Sequence, residues 1–160
     1  DKHRAGCSYV RIETADGAPI APAANLQRVD QASLAAMAGD IASARESADI
    51  VIVSCHSGAD TSSSYGDALP WPENASTLLA QQVPGIDAIL VGHAHVEIPQ
   101  RFVTNKVTGR PVLLTEPLFW GKRLSLMEFD LQYDKRWRLV ASRSSVLSSA
   151  TVPEDGGRMS

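Results

Sequence analysis

Two short runs constrain this chain more than any other feature. Asp49-Ile50-Val51-Ile52-Val53-Ser54-Cys55 is almost continuously apolar and rich in β-branched residues, and Ile86-Asp87-Ala88-Ile89-Leu90-Val91 has the same character. Runs of this kind predict strands buried on both faces, as in parallel sheets. Parallel neighbours need a crossover of a dozen residues or more, and a helical segment stands between these two. Asn74 or Ser76 is placed to cap that helix, which runs through about Gln82 until Pro84-Gly85 stops it. Upstream, Leu34, Met37, Ile41, Ala44 and Ala48 recur at helical spacing. They predict an amphipathic helix over 33–47, with Ser33 as its N-cap. Helix, strand, loop, helix, strand is α/β organisation.

The flanks are less regular. Residues 8–13 alternate and predict a short strand before a turn at Asp16-Gly17, whereas 18–29, rich in Ala and Pro, carry no firm pattern. Residues 57–73 are dense in Gly, Ser, Asp and Pro and predict a long loop, a class that is usually functional or disordered. Beyond 100, Phe102–Thr104, Pro111–Thr115, Leu124–Leu131 and Arg136–Ser144 predict strands, with hairpin turns at 105–109 and 132–135.

The 160 residues are enough for one domain. With 44% hydrophobic and 21% charged residues, wholesale disorder is excluded. A net charge of −3 argues against a nucleic-acid-binding domain. No apolar run is long enough for a membrane span, and no signal-peptide pattern opens the chain. Two cysteines, Cys7 and Cys55, make no disulfide framework. The chain opens without Met, at Asp1, and residues 151–160 predict a flexible polar tail. These features suggest a piece of a longer protein.

Chemistry concentrates where the two buried runs end. The first leads directly into His56-Ser57-Gly58 and the second into Gly92-His93-Ala94-His95. Parallel neighbours would bring both turns to the carboxyl edge of one sheet, where open α/β sheets place ligands. Residues 46–100 contain no Lys or Arg, seven acidic residues and three of the four histidines. An acidic, imidazole-bearing stretch suits metal cations. His56, His93 and His95 are therefore the candidate metal ligands.

Gly92 would allow the turn that aims His93 and His95, and small Ala94 would permit close backbone approach. Ser54 and Ser57 are placed to fix imidazole tautomers. The bland alternative is a set of strand-end histidines satisfied as ordinary polar residues. His3 reads as a surface residue, and Asp67 and Glu73 as solvated loop carboxylates. Cys55 and His56 are consecutive and would point apart, so they make no nucleophilic dyad. Neither G-x-S-x-G nor a P-loop is present. Trp71, Phe119 and Trp120 form a candidate apolar wall near the site, or else belong to a core or interface.

The words Ser54-Cys55-His56-Ser57-Gly58 and Gly92-His93-Ala94-His95 resemble the later metal motifs of the calcineurin-like metallophosphoesterases. The resemblance is strongest to the 5′-nucleotidase/2′,3′-cyclic-nucleotide phosphodiesterase branch. Asp87–Val91, Pro111–Pro117 and Trp120-Gly121-Lys122-Arg123-Leu124 agree with it, and the match is best over about 40–145. It implies that residues 1–150 are part of a four-layer αββα sandwich. It also implies two divalent ions (zinc, manganese, iron or similar), with His56 and His93 on one and His95 on the other. Metal-held water would attack phosphorus in a nucleotide or other phosphoester, and the protein would be extracellular, in the cell wall or periplasmic.

Of the family's earlier motifs, G-N-H-[DE] is absent from this chain, and D-x-H is spelled only by Asp1-Lys2-His3, at the first residues of the sequence. Gly39-Asp40 and Gly66-Asp67 spell G-D outside the family's context. The histidine that acts in the transition state is therefore not in this chain. The resemblance makes the chain the C-terminal half of a catalytic domain, with the N-terminal half as its missing partner and little activity alone. The alternatives are a non-catalytic metal-binding or interaction domain derived from that fold, and an ordinary α/β domain with incidental histidines.

Overall fold

The computed structural model describes residues 8–10, 26–28, 31–59 and 74–149. Along the chain these form β1 (Ser8–Val10), β2 (Leu26–Arg28), α1 (Gln31–Ser47), β3 (Ile52–Cys55), α2 (Ser76–Gln82) and β4 (Ala88–Val91). Then follow β5 (Glu97–Thr104), β6 (Pro111–Pro117), β7 (Arg123–Asp134) and β8 (Arg136–Ser148). The central sheet has the order β3-β4-β6-β5. β3, β4 and β6 are parallel, and β5 returns antiparallel to β6. The expected α/β class, with adjacent parallel strands joined through a helix, is the observed one. Separate antiparallel pairs are formed by β1 with β2 and by β7 with β8. Residues 11–25, the tail at 151–160 and most of the 57–73 loop lie outside the described residues.

Register separates the two faces of the central sheet. Val53, Ile89, Val91, Val112 and Leu114 point to one side and join a core with Leu34 and Ile41 of α1 and Leu79, Ala80 and Val83 of α2. On the other face the row Ile52, Ala88, Leu113, Phe102 crosses the sheet. Its two middle members are fully buried, whereas Ile52 is 50% and Phe102 45% exposed. The β7–β8 hairpin lies against this face through Thr115 Oγ1 and Ser125 Oγ, 2.9 Å apart, and through Ser144 donating to Gln100 and Pro99.

Three local expectations need correction. β3 is not buried on both faces: it is an edge strand, and the hairpin bears on β6 and β5 rather than over it. The inward stripe of α1 is Leu34, Ala38, Ile41, Arg45 and Ala48, while Met37 and Ala44 face solvent. Ser33 lies inside the helix, which begins at Gln31, and is not its cap. Arg45 takes the place expected for Ala44 because a carboxylate needs it there. Asp87, 3% exposed, accepts from Val51 N at 2.9 Å and from Arg45. Arg45 also donates to the carbonyls of Asp49 and Gly85. One buried carboxylate thus ties the end of α1 to the starts of β3 and β4.

The predicted turn at 105–109 joins β5 to β6 and is organised by Asn105, which is 2% exposed. Its amide donates to Ala80 O and Val83 O, both at 2.8 Å, and its oxygen accepts from Val107 N and Thr108 N. Gly109 supplies a left-handed residue at φ 69°. The predicted turn at 132–135 is tighter than expected: pairing continues to Asp134↔Arg136, with Lys135 alone at the tip. No helix among the described residues is long and apolar enough to cross a membrane.

Asn105→Ala is expected to leave two carbonyls at the end of α2 and two N–H groups in the β5–β6 turn short of partners. The predicted cost is about 2–3 kcal/mol, read as a lower urea midpoint at unchanged m-value. An unchanged midpoint would contradict this account of the turn.

Candidate functional site

The carboxyl ends of β3 and β4 lie level, because Cys55 pairs with Val91 and Gly92 N donates to Cys55 O at 3.1 Å. His56 and the Gly92–His95 turn therefore leave the sheet side by side. The segment after His56 folds onto the start of α2. Gly58 N donates to Asn74 Oδ1 at 2.9 Å and Ala75 N to Ser57 Oγ at 2.7 Å. Ser76 Oγ donates to Ser57 O, and Thr77 Oγ1 to Ala59 O. A Cβ on Gly58 would lie 2.6 Å from Asn74 Cγ and 2.7 Å from Ala94 Cβ. The absence of a side chain at 58 lets the first loop reach the second.

Several roles differ from those expected. Neither Asn74 nor Ser76 caps α2: the N-cap position is Ala75, with no side-chain cap bond. Both side chains hold the His56 loop instead. Ser57 is turned to Ala75 rather than to an imidazole. The turn does not draw its left-handed backbone from Gly92. The residues at positive φ are His93 (74°) and His95 (59°) themselves.

His56, His93 and His95 line one cavity of about 290 Å³. The His56 and His93 rings meet edge to face with centroids 5.4 Å apart. His95 turns towards Phe119, 5.1 Å between centroids, and Phe119 packs edge to face on Trp120 at 4.9 Å. Lys122 Nζ sits 4.7 Å from the Phe119 centroid and 5.6 Å from that of Trp120. Leu118 (φ 66°) and Trp120 (φ 55°) are also left-handed. Of the five non-glycine residues at positive φ among the described ones, four line this cavity. Such strain gathers at functional sites. Nothing in the identities of Leu118 or Trp120 announced it.

The donor chemistry suits a divalent ion, but the donor set is partial. Imidazole nitrogens on two adjacent loops are ordinary ligands for zinc, manganese or iron. Among the described residues, however, no group of three His, Cys, Asp or Glu side chains is arranged to hold an ion. Cys55 packs against the core cluster. His3, Asp67, Glu73 and Trp71 lie outside the described residues.

No family model matches the chain. It is 32% identical over 113 residues to the trifunctional nucleotide phosphoesterase protein YfkN of Bacillus subtilis, a match covering 66% of this chain and 8% of that protein. It is 30% identical over 110 residues to the 2′,3′-cyclic-nucleotide 2′-phosphodiesterase/3′-nucleotidase of Yersinia enterocolitica, covering 62% of this chain and 16% of that protein. The crystal structure of the calcineurin-like phosphoesterase YfkN superposes with a TM-score of 0.54 at 25% identity, over 91% of this chain and 50% of that one. The 5′-nucleotidase precursor of Thermus thermophilus has the same fold, with a TM-score of 0.53 at 19% identity over 82% of this chain and 23% of that one. The chain thus spans a small part of the curated relatives it matches and half of the YfkN structure.

Gly58→Ala is predicted to force the two loops apart and to destabilise the protein by about 1–3 kcal/mol, as overpacking does. Gly39, on an open face of α1 where an added Cβ would meet nothing within 4 Å, is the control. Gly39→Ala should stabilise by about 0.5–1 kcal/mol. Thermal unfolding of the pair reads both; equal responses would remove the case for close packing at 58.

Proposed function

The chain is homologous to the calcineurin-like phosphoesterases and carries part of their fold, and from that premise we propose that it supplies one half of the catalytic domain of a metal-dependent phosphohydrolase acting on nucleotides. The observation that carries this reading is the meeting of His56 and His93 from the ends of two adjacent parallel strands, with His95 on the same cavity. In this proposal His56 and His93 are ligands of one ion and His95 of a second. Divalent ions, when bound, supply an activated water for in-line attack on phosphorus and neutralise charge on the phosphate oxygens.

The chain's own residues do the positioning. The bonds from Asn74, Ala75 and Ser76 to the 57–58 segment fix where His56 emerges. Left-handed backbone at 93 and 95 sets the directions of the other two imidazoles. The remaining ligands, and the group that stabilises charge in the transition state, belong to the half of the fold this chain does not span. An extracellular, cell-wall or periplasmic location is part of the same proposal, and is supported by the word "precursor" in the name of the Thermus relative. A second reading, a non-catalytic metal-binding or interaction domain, rests on the partial donor set.

The test is phosphate release from AMP, and from 2′,3′-cyclic AMP with a phosphatase added, in manganese or zinc. The 160-residue chain is expected to turn over little or nothing, and a full-length parent to be active. His93→Ala or His95→Ala should lower the parent's rate by on the order of a hundredfold or more, since each removes a ligand worth several kcal/mol of transition-state charge stabilisation. Full activity in both variants would defeat the assignment. Robust turnover by the pure chain would show that the ligands it holds suffice.

A further inference from the structure

A second and larger cavity, of about 840 Å³, lies at the amino edge of the central sheet, opposite the histidines. It is bounded by the end of α1, the residues just before β3, β4 and β6, and the tip of the β7–β8 hairpin. Charge in it does not balance. Each of its three carboxylates has a guanidinium: Asp87 pairs with Arg45, Asp49 with Arg136 at 3.2 Å and Asp134 with Arg138 at 3.1 Å. Two more cations, Arg110 and Lys135, line the same space, and Arg110 comes no closer than 3.9 Å to Asp87. Five cations against three carboxylates leave a surplus of two positive charges, in a chain whose net charge is −3. Such a surplus repels itself until an anion answers it. The backbone adds a second sign. Of the five non-glycine residues at positive φ among the described ones, Lys135 (61°) is the one that does not line the histidine cavity. A one-residue hairpin tip would take glycine without strain. The lysine incurs strain and puts an ammonium on the cavity wall.

We propose that this cavity is a binding site for a small multivalent oxyanion, of the class of pyrophosphate and citrate. A monovalent ion would neutralise only half of the surplus. Guanidinium groups take two oxygens of one phosphate or carboxylate, and an ammonium acts as a point charge beside them. Arg136 and Arg138 each commit one nitrogen to a carboxylate, so N–H donors remain on both, and Arg110 brings its own. Trp137, packed on Tyr133 with ring centroids 5.1 Å apart, is a further wall whose indole N–H donates and cannot accept. The site is separate from the histidines, needs no metal and does not rest on the phosphohydrolase reading. The competing occupant is an acidic segment from the half of the fold that this chain does not span.

The experiment is calorimetric titration of the chain, stripped of metal on a chelating resin, with pyrophosphate and with citrate at matched ionic strength. Saturable binding of either, with Kd of about 1 mM or tighter, is expected, and the tighter of the two tells phosphate from carboxylate as the preferred group. Affinity should fall as salt is raised. Arg110→Gln and Lys135→Asn should each weaken binding about tenfold. Asparagine tolerates the left-handed backbone at 135, and Arg45 still answers Asp87 when Arg110 is replaced, so both variants should fold. Arg143→Ala, which removes a cation committed to Glu128 and Asp130 away from the cavity, should bind as the unaltered chain does, and so should His93→Ala. Absence of saturation, or equal losses in Arg143→Ala, would overturn the site by showing diffuse attraction only. Loss in His93→Ala would overturn it by placing the anion at the histidines. A full-length parent that binds neither anion would overturn it in favour of the acidic segment.

Discussion

The site depends on one close approach. Two loops leave the ends of neighbouring parallel strands, and they fit together because residue 58 has no side chain. Asn74 Oδ1 fills the space beside it and accepts the Gly58 N–H, while Ala94 packs from the other loop. A larger group at either 58 or 94 would wedge the loops apart and move His56 away from His93. The distance between these imidazoles is therefore set by main-chain packing and a buried amide rather than by contact between the rings. In the proposed metal site, such a pre-positioned pair would not have to be gathered around an ion, which would lower the ordering cost of binding.

At the opposite end of the same strands, a second polar anchor does comparable work. Asp87 is buried, and burial of a lone carboxylate is costly unless charge and hydrogen bonds answer it. Arg45 and Val51 N answer it, with Arg110 at 3.9 Å. The strands β3 and β4 are thus held level at both ends: by Asp87 where they begin and by the Gly58–Asn74 contact where they finish. Level strands put His56 and the Gly92–His95 turn at the same height. The histidines meet at one edge because the register of the two strands is fixed from both ends.

What was legible in the sequence follows from what each pattern reports. The apolar runs at 49–55 and 86–91 report local burial, and they correctly predicted adjacent parallel strands with histidines at one edge. They do not report what lies over each face, so the half-exposure of Ile52 on an edge strand was invisible. Asn74 and Ser76 were recognisable as residues that bond to main chain near a helix start, but their partners are 16 and 19 residues away in sequence, at Gly58 and Ser57. Helical spacing alone left the α1 stripe ambiguous between Ala44 and Arg45. The choice was made by Asp87, 42 residues on from Arg45. In each case local chemistry was readable and the long-range partner was not.

Two further features belong together. Part of the exposed apolar surface is grouped: Ile52 and Phe102 lie in one row of the central sheet, and Leu124, Leu126 and Leu147 lie on the outward face of the hairpin. Leu124 pairs directly with Leu147, whereas further along the same face Arg143 bonds both Glu128 and Asp130. A solvated hairpin face would be expected to stay polar throughout, as the Arg143 end does, so the leucine end is built to be covered. The donor set at the histidine cavity is partial in the same sense, with imidazoles arranged on one side and no group of three ligands among the described residues arranged to hold an ion. Both observations have one physical cause if half of a two-sheet fold normally rests on this half. The second half would bury the apolar row and deliver the remaining ligands in the same docking step. Assembly of the core and assembly of the metal site would then be coupled, so that divalent metal stabilises the joined halves more than either alone.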